Sequence, residues 1–269
     1  MARPGDKLRI VEKLRDIEKN LLRTKRPYNS DMSWISNALS IQPDEPFHAI
    51  IAKTDCDHPC FVHIDELDES NPLWKVGLDG KIKRNASEIA RVAYPLLSIS
   101  SEAVLVDQHY SSTAKHGRPL AALIAAARNG KKLSRMEYHL NSDGDSLAFQ
   151  VGLNKQLPYL GLKNEEEIIF VRWRRIDGGE NMHPRYILTN RGGIRFDFGL
   201  DEGEGSTDYA RLSEELWRQR WEQFKPDSQA LKLVDAWRAK MIPPPGSPTN
   251  NLVPSVKPVR WAETRWVES

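Results

Sequence analysis

His183 and Arg185 stand two residues apart inside residues 167 to 201, a segment that reads as three short strands joined by tight turns. Alternate residues of a strand project to one face, so this spacing presents an imidazole and a guanidinium together. Such a pair can exchange a proton or act as nucleophile at phosphorus while the guanidinium clamps phosphate oxygens. Asn190 follows five residues after Arg185. Upstream, the apolar run from Glu102 ends in Asp107, His109 and Tyr110, and a second expected strand ends near His139. Each run precedes an expected helix, which puts its polar end at the carboxyl edge of a sheet, where ligands sit. Arg172, Arg174 and Arg175, with Trp173 between them, form the densest basic cluster, and Arg195 follows on the third strand. Arginines interleaved with an aromatic suit a phosphate backbone, and equally a charged edge strand that resists aggregation.

The elements that must position these residues follow from periodicity. Residues 6 to 25 carry Leu8, Val11, Leu14, Ile17 and Leu21 at helical spacing, an amphipathic stripe in need of a partner. Ser30 and Asp31 can cap a short helix at residues 32 to 39, and residues 47 to 54 and 59 to 64 read as strands. A polar, turn-rich stretch at residues 65 to 85 marks the expected domain boundary. Then come a helix to Leu97, a strand at 102 to 110, a helix at 119 to 128, a strand at 133 to 140 and a helix near 145 to 157. Beyond residue 201, helices are expected at 207 to 224 and 228 to 241. Six prolines between Pro243 and Pro258 predict an extended tail over 242 to 269, with Trp261 and Trp266 as anchors on the parent domain or on a partner protein.

Composition restricts the function classes. Thirty-nine Lys and Arg against 37 Asp and Glu leave a net charge of only +2, so any anion site must be local. No apolar run is long enough to span a bilayer, and the first residues lack the apolar core of a signal peptide; a cytoplasmic protein off the membrane is expected. Cys56 and Cys60 make no disulfide framework. With His58 and His63 they lack the second, separated ligand pair of a structural zinc site, and the acids Glu202, Glu204 and Asp208 favour a helix N-terminus. No metal and no other cofactor is expected.

The order of strands and helices, the run from His183 through Arg185 to Asn190, and the following Gly199, Leu200 and Asp201 resemble the phospholipase D-like superfamily, whose signature is H-x-K-x4-D. The resemblance covers residues 102 to 224 and is closest to the single-copy form found at the C-terminus of MIT-domain proteins and in prokaryotic relatives. It implies an α/β fold: a phospholipase D-like mixed sheet flanked by helices at residues 86 to 241, after a small α+β domain at 1 to 85 and before the Pro-rich tail. It implies phosphodiester handling, with His183 as nucleophile, Arg185 as phosphate clamp in place of lysine, and Asn190 in place of aspartate. A second histidine would come from a homodimer or, in the same chain, from His109 or His139. Asp107 to Tyr110 match the Asp-x-x-Tyr at a strand end in that form. Nucleic acid is the expected partner, as binding or cleaving component of a prokaryotic defence or mobile-element system. The alternative is a catalytically inactive module that binds a partner protein or an anionic lipid headgroup.

Overall fold

The computed structural model describes residues 26–44, 47–66, 70–73, 77, 79–128, 134–142, 144–177, 182, 185–244 and 252–261. The amphipathic residues 6 to 25, His183 and Trp266 lie outside them. The chain divides into two compact units, Met1–Gly77 and Leu78–Ser269.

In the first unit, α1 (Trp34–Ile41) starts at Ser33, whose side chain accepts from the Ser36 amide, three residues beyond the expected cap. Two short strands, β1 (Ile50–Ala52) and β2 (Phe61–His63), pair in parallel, and Ala38, Ile50 and Cys60 form the small core. Both cysteines are free thiols; Cys60 Sγ lies 2.9 Å from His58 Nδ1, and His63 Nε2 lies 2.8 Å from the Lys53 carbonyl.

The second unit is built on one nine-stranded mixed sheet. Its strands are β3 (Asp79–Lys83), β4 (Glu102–Val106), β5 (Arg135–Asn141), β6 (Glu167–Arg175), β7 (Arg185–Thr189), β8 (Gly192–Phe196), β9 (Ser206–Arg211), β10 (Leu231–Ile242) and β11 (Val253–Pro258), in spatial order β11-β10-β6-β5-β4-β7-β8-β9-β3. Three strands, β4, β5 and β6, run parallel, and every other pairing is antiparallel. The apolar runs of β4 and of the first half of β6 fit strands covered on both faces, which have no solvent side to mark with polar residues; in β5 the buried Glu137 and His139 are paired with each other instead. On one face pack α2 (Ala86–Leu97), α3 (Ala114–Arg128) and α4 (Ser146–Gln156), through Ile89, Leu97, Leu123 and Leu153. The other face holds Val104, Val106, Trp173 and Leu188 beneath α5 (Glu214–Gln223) and Trp261.

Two expected helices are not helices. Residues 228 to 241 are largely β10, where Trp237, Ala239 and Met241 alternate inward between strand neighbours on both sides. The helical reading mistook a period of two for one of three to four. Residues 206 to 211 are β9, and the helix begins only at Glu214, where Ser213 accepts from the Leu216 amide and two glutamates occupy the first turn. The tail is extended but not free of regular structure: Val253–Pro258 pairs with β10, its prolines sitting on the outermost strand, where the missing N–H groups cost no ladder bond inside the sheet.

Candidate functional site

The sheet changes direction at β4. The connections through α3 and α4 carry the chain from β4 to β5 to β6 on one side, whereas β7 lies antiparallel on the other. A crevice at the carboxyl end of such a strand is where α/β sheets bind ligands. Asp107 is the first residue beyond β4, fully buried, and its neighbour across the switch is Arg185, with Nε 3.8 Å from Asp107 Oδ1. Asp107 Oδ1 also accepts from the His109 amide at 3.0 Å, making an Asx turn that ends the strand earlier than residue 110. Its Oδ2 accepts from the Leu200 amide at 2.7 Å.

That last bond belongs to a loop fitted around two charged side chains. A Cβ on Gly199 would stand 3.0 Å from Asp107 Oδ2, and one on Gly203 would stand 2.8 Å from the Arg84 guanidinium, so the backbone comes as close as it does because these positions have no side chain. Asp201 receives Arg84 at 2.6 Å and Lys115 at 3.3 Å. Burial alone would raise the Asp201 pKa, but the hydrogen bond and charge of Arg84 and the hydrogen bond of Lys115 hold it below the usual aspartate value. Glu202 accepts from Arg118 Nε and from the Ala86 amide.

Pro119 has an unexpected part in this. It sits inside α3, not at its start, and its ring removes the bond that the Lys115 carbonyl would accept from residue 119. The Glu202 amide fills that gap, donating to the Lys115 carbonyl at 2.8 Å. The loop is thereby fixed to the first turn of α3.

His116, also in that turn, is 2% exposed. Its Nδ1 is 3.0 Å from Ser111 Oγ. Burial lowers its pKa below the ordinary histidine value, against the opposing charges of Asp107 and Asp201. His116, Lys115, Arg118 and Arg84 were not among the residues singled out from sequence. The readable signal was Lys115-His116-Gly117-Arg118 ahead of an apolar run, too polar to be an idle helix start.

The sequence-derived residues scatter around this edge. His109 lies on it and is exposed; Arg185 lies on it with its side chain 11% exposed. Tyr110 is buried, its hydroxyl donating to Gln156 Oε1, and burial pushes its pKa well up, so it serves the core. Asn190 is at the opposite edge, at the far end of β7, where Oδ1 accepts from the Ser101 amide and Nδ2 donates to Ser101 Oγ. His139 is on the other face of the sheet from Asp107: Trp173 Nε1 donates to its Nδ1 at 3.0 Å, which leaves the ring proton on Nε2, donating to Glu137 Oε2 at 2.8 Å. It is therefore a buried histidine bonded within the core, away from the Asp107 edge. Arg172 is equally internal, bonded to the Gly144 carbonyl, Ser146 and Asp235 and lying over the Phe149 ring. Arg174 and Arg175 are exposed at the end of β6, and Arg195 is exposed beside Asp197 at 3.3 Å.

Among the described residues, no helix is long and apolar enough to cross a membrane, and no group of three or more His, Cys, Asp or Glu side chains has the arrangement to hold a metal ion. No family model and no curated protein matches this sequence. Among solved structures, the chain is similar to TrmBL2, an archaeal chromatin protein whose structure shows a novel mode of DNA binding, at 12% identity, over 55% of this chain and 54% of that one, with a TM-score of 0.28. The chain thus spans about half the length of that protein, and a TM-score of this size leaves the two folds unequated.

Proposed function

We propose that this chain is a phospholipase D-like protein that holds phosphodiesters of nucleic acid at the β4 and β7 edge. The reading is carried by one observation: Arg185 meets the buried Asp107 at the switch point of the sheet, with Lys115 and Arg118 exposed beside it. Four cations, Arg84, Lys115, Arg118 and Arg185, face three carboxylates there, an excess that suits a singly charged phosphodiester. Nucleic acid is preferred to lipid because the exposed cations are spread along an edge, as a backbone needs. The defence or mobile-element setting rests on the resemblance alone.

Two observations favour binding without turnover. Arg185 is drawn onto a carboxylate, and Asn190 is spent on backbone amides at the far edge. In the cleaving form His183 would be the nucleophile. Single- and double-stranded DNA and RNA are the test substrates, in EDTA because the implied phosphohistidine chemistry runs without metal. Retained binding with no cleavage places the chain among binding modules; cleavage lost in His183→Ala makes it a phosphodiesterase; no binding to any of the four refutes the reading.

A further inference from the structure

The edge holds an imidazole nitrogen with no protein partner among the described residues. His116 is 2% exposed, yet its one hydrogen bond among the described residues is at Nδ1, to Ser111 Oγ. Nε2 has no partner there and is not among the fully buried atoms, so the one open polar atom of an otherwise enclosed ring is left for a water or a ligand atom to complete. Ser111 Oγ also lies 3.1 Å from Thr113 Oγ1. With Thr113 donating to Ser111 and Ser111 donating to Nδ1, the ring proton stays on Nε2, which is then a donor. The two carboxylates nearest the ring do not claim it: Asp107 takes the Leu200 and His109 amides, and Asp201 takes Arg84 and Lys115.

We infer that His116 is the residue of this edge that contacts a bound phosphate oxygen, donating from Nε2, and that Ser111 is the positioning residue that fixes its tautomer. The inference rests on the phosphodiester reading and deepens it. An oxyanion is the ligand that fits. A cation placed there would meet Lys115 and Arg84, while the acids that might have drawn it are already neutralised.

Asparagine and glutamine separate the two ring nitrogens: an Asn amide reaches the place of Nδ1, and a Gln amide the place of Nε2. His116→Asn therefore keeps the Ser111 bond and removes the donor, whereas His116→Gln keeps a donor. Binding of a short single-stranded DNA to the full chain is expected to weaken about tenfold in His116→Asn, the worth of one charge-assisted hydrogen bond, and to recover in His116→Gln. In wild type, inorganic phosphate should shift the Nε2 resonance of His116 in imidazole nitrogen NMR. Ser111→Ala should move that ring toward a mixture of tautomers and weaken phosphate binding with it, whereas a purely structural role would leave phosphate affinity unmoved. It also keeps the test open if His116→Asn fails to fold. Unchanged binding in folded His116→Asn, with wild type bound, overturns the inference and leaves the phosphodiester reading standing. Failure of wild type to bind oligonucleotide or phosphate overturns both.

Discussion

Trp261 donates its indole N–H to Glu137 Oε1 at 2.7 Å, across 124 residues of sequence. Glu137 is fully buried, and burial would raise its pKa, but His139, Arg135 and Trp261 together hold it below the usual carboxylate value. The extended tail thus completes the polar interior of the second unit. Trp261→Ala is expected to destabilise by about 3–5 kcal/mol, through the cavity and the lost donor. Trp261→Phe, which keeps a ring and loses the N–H, should cost about 1–2 kcal/mol. Urea unfolding of both variants measures this, and a Trp261→Phe variant as stable as wild type would show that the hydrogen bond contributes nothing.

Arg172 and Arg174 are separated by two positions and by their environments. Arg172→Ala removes a buried guanidinium bonded to Asp235, Ser146 and the Gly144 carbonyl, leaves a cavity, and should lower stability by about 3–5 kcal/mol. Arg174→Ala, on an exposed side chain, should stay within about 0.5 kcal/mol in stability. If Arg174 touches the nucleic-acid backbone, its loss lowers the salt slope of binding by about one. Salt titrations of binding, run beside denaturation curves, separate the two.

Asn190 lies at the far end of β7 from the Asp107 edge and is bonded to Ser101. Asn190→Ala should cost about 1–2 kcal/mol by leaving the Ser101 amide and hydroxyl unpaired. Asn190→Asp, which introduces the acid of the H-x-K-x4-D pattern, should leave oligonucleotide binding and cleavage where they were. A gain of nuclease activity in that variant would contradict the placement.

Acid should open the edge through Asp201. Its folded pKa lies below the unfolded value, so its contribution is complete above the ordinary aspartate range and fades as pH falls through the depressed folded value. Replacing Arg84 by Met removes the strongest partner. The Asp201 pKa then rises, the acid limb of the stability profile begins at higher pH, and about 2 kcal/mol is lost at neutrality. Denaturation series from neutral to acid pH, for wild type and R84M, test both.

The order of the central elements was legible because β4 and most of β6 are apolar runs and α3 is an alanine and leucine helix. The long β10 was not, since Leu231, Leu233, Val234, Trp237 and Met241 satisfy both a strand and a helix until neighbours on either side decide. At the site, spacing located Asp107, His109 and Arg185, whose positions follow from strand ends. It did not separate His139 from them, because which face a histidine takes depends on register. His116 was hidden by Pro119, which reads as a helix start and here lies inside one.

The loop held against Asp107 and the first turn of α3 has a consequence for how the edge comes into being. Leu200 meets Asp107 across 93 residues and Arg84 meets Asp201 across 117, so closing these contacts costs more chain entropy than any hairpin of the sheet. They can form only once β4, β7 and α3 are already assembled. The Leu200 amide, bonded to a buried carboxylate, should accordingly exchange with solvent only through opening of the whole unit, whereas the turn amides around it exchange by local fluctuation. Its exchange rate would report, from a single hydrogen, whether the ligand edge is closed.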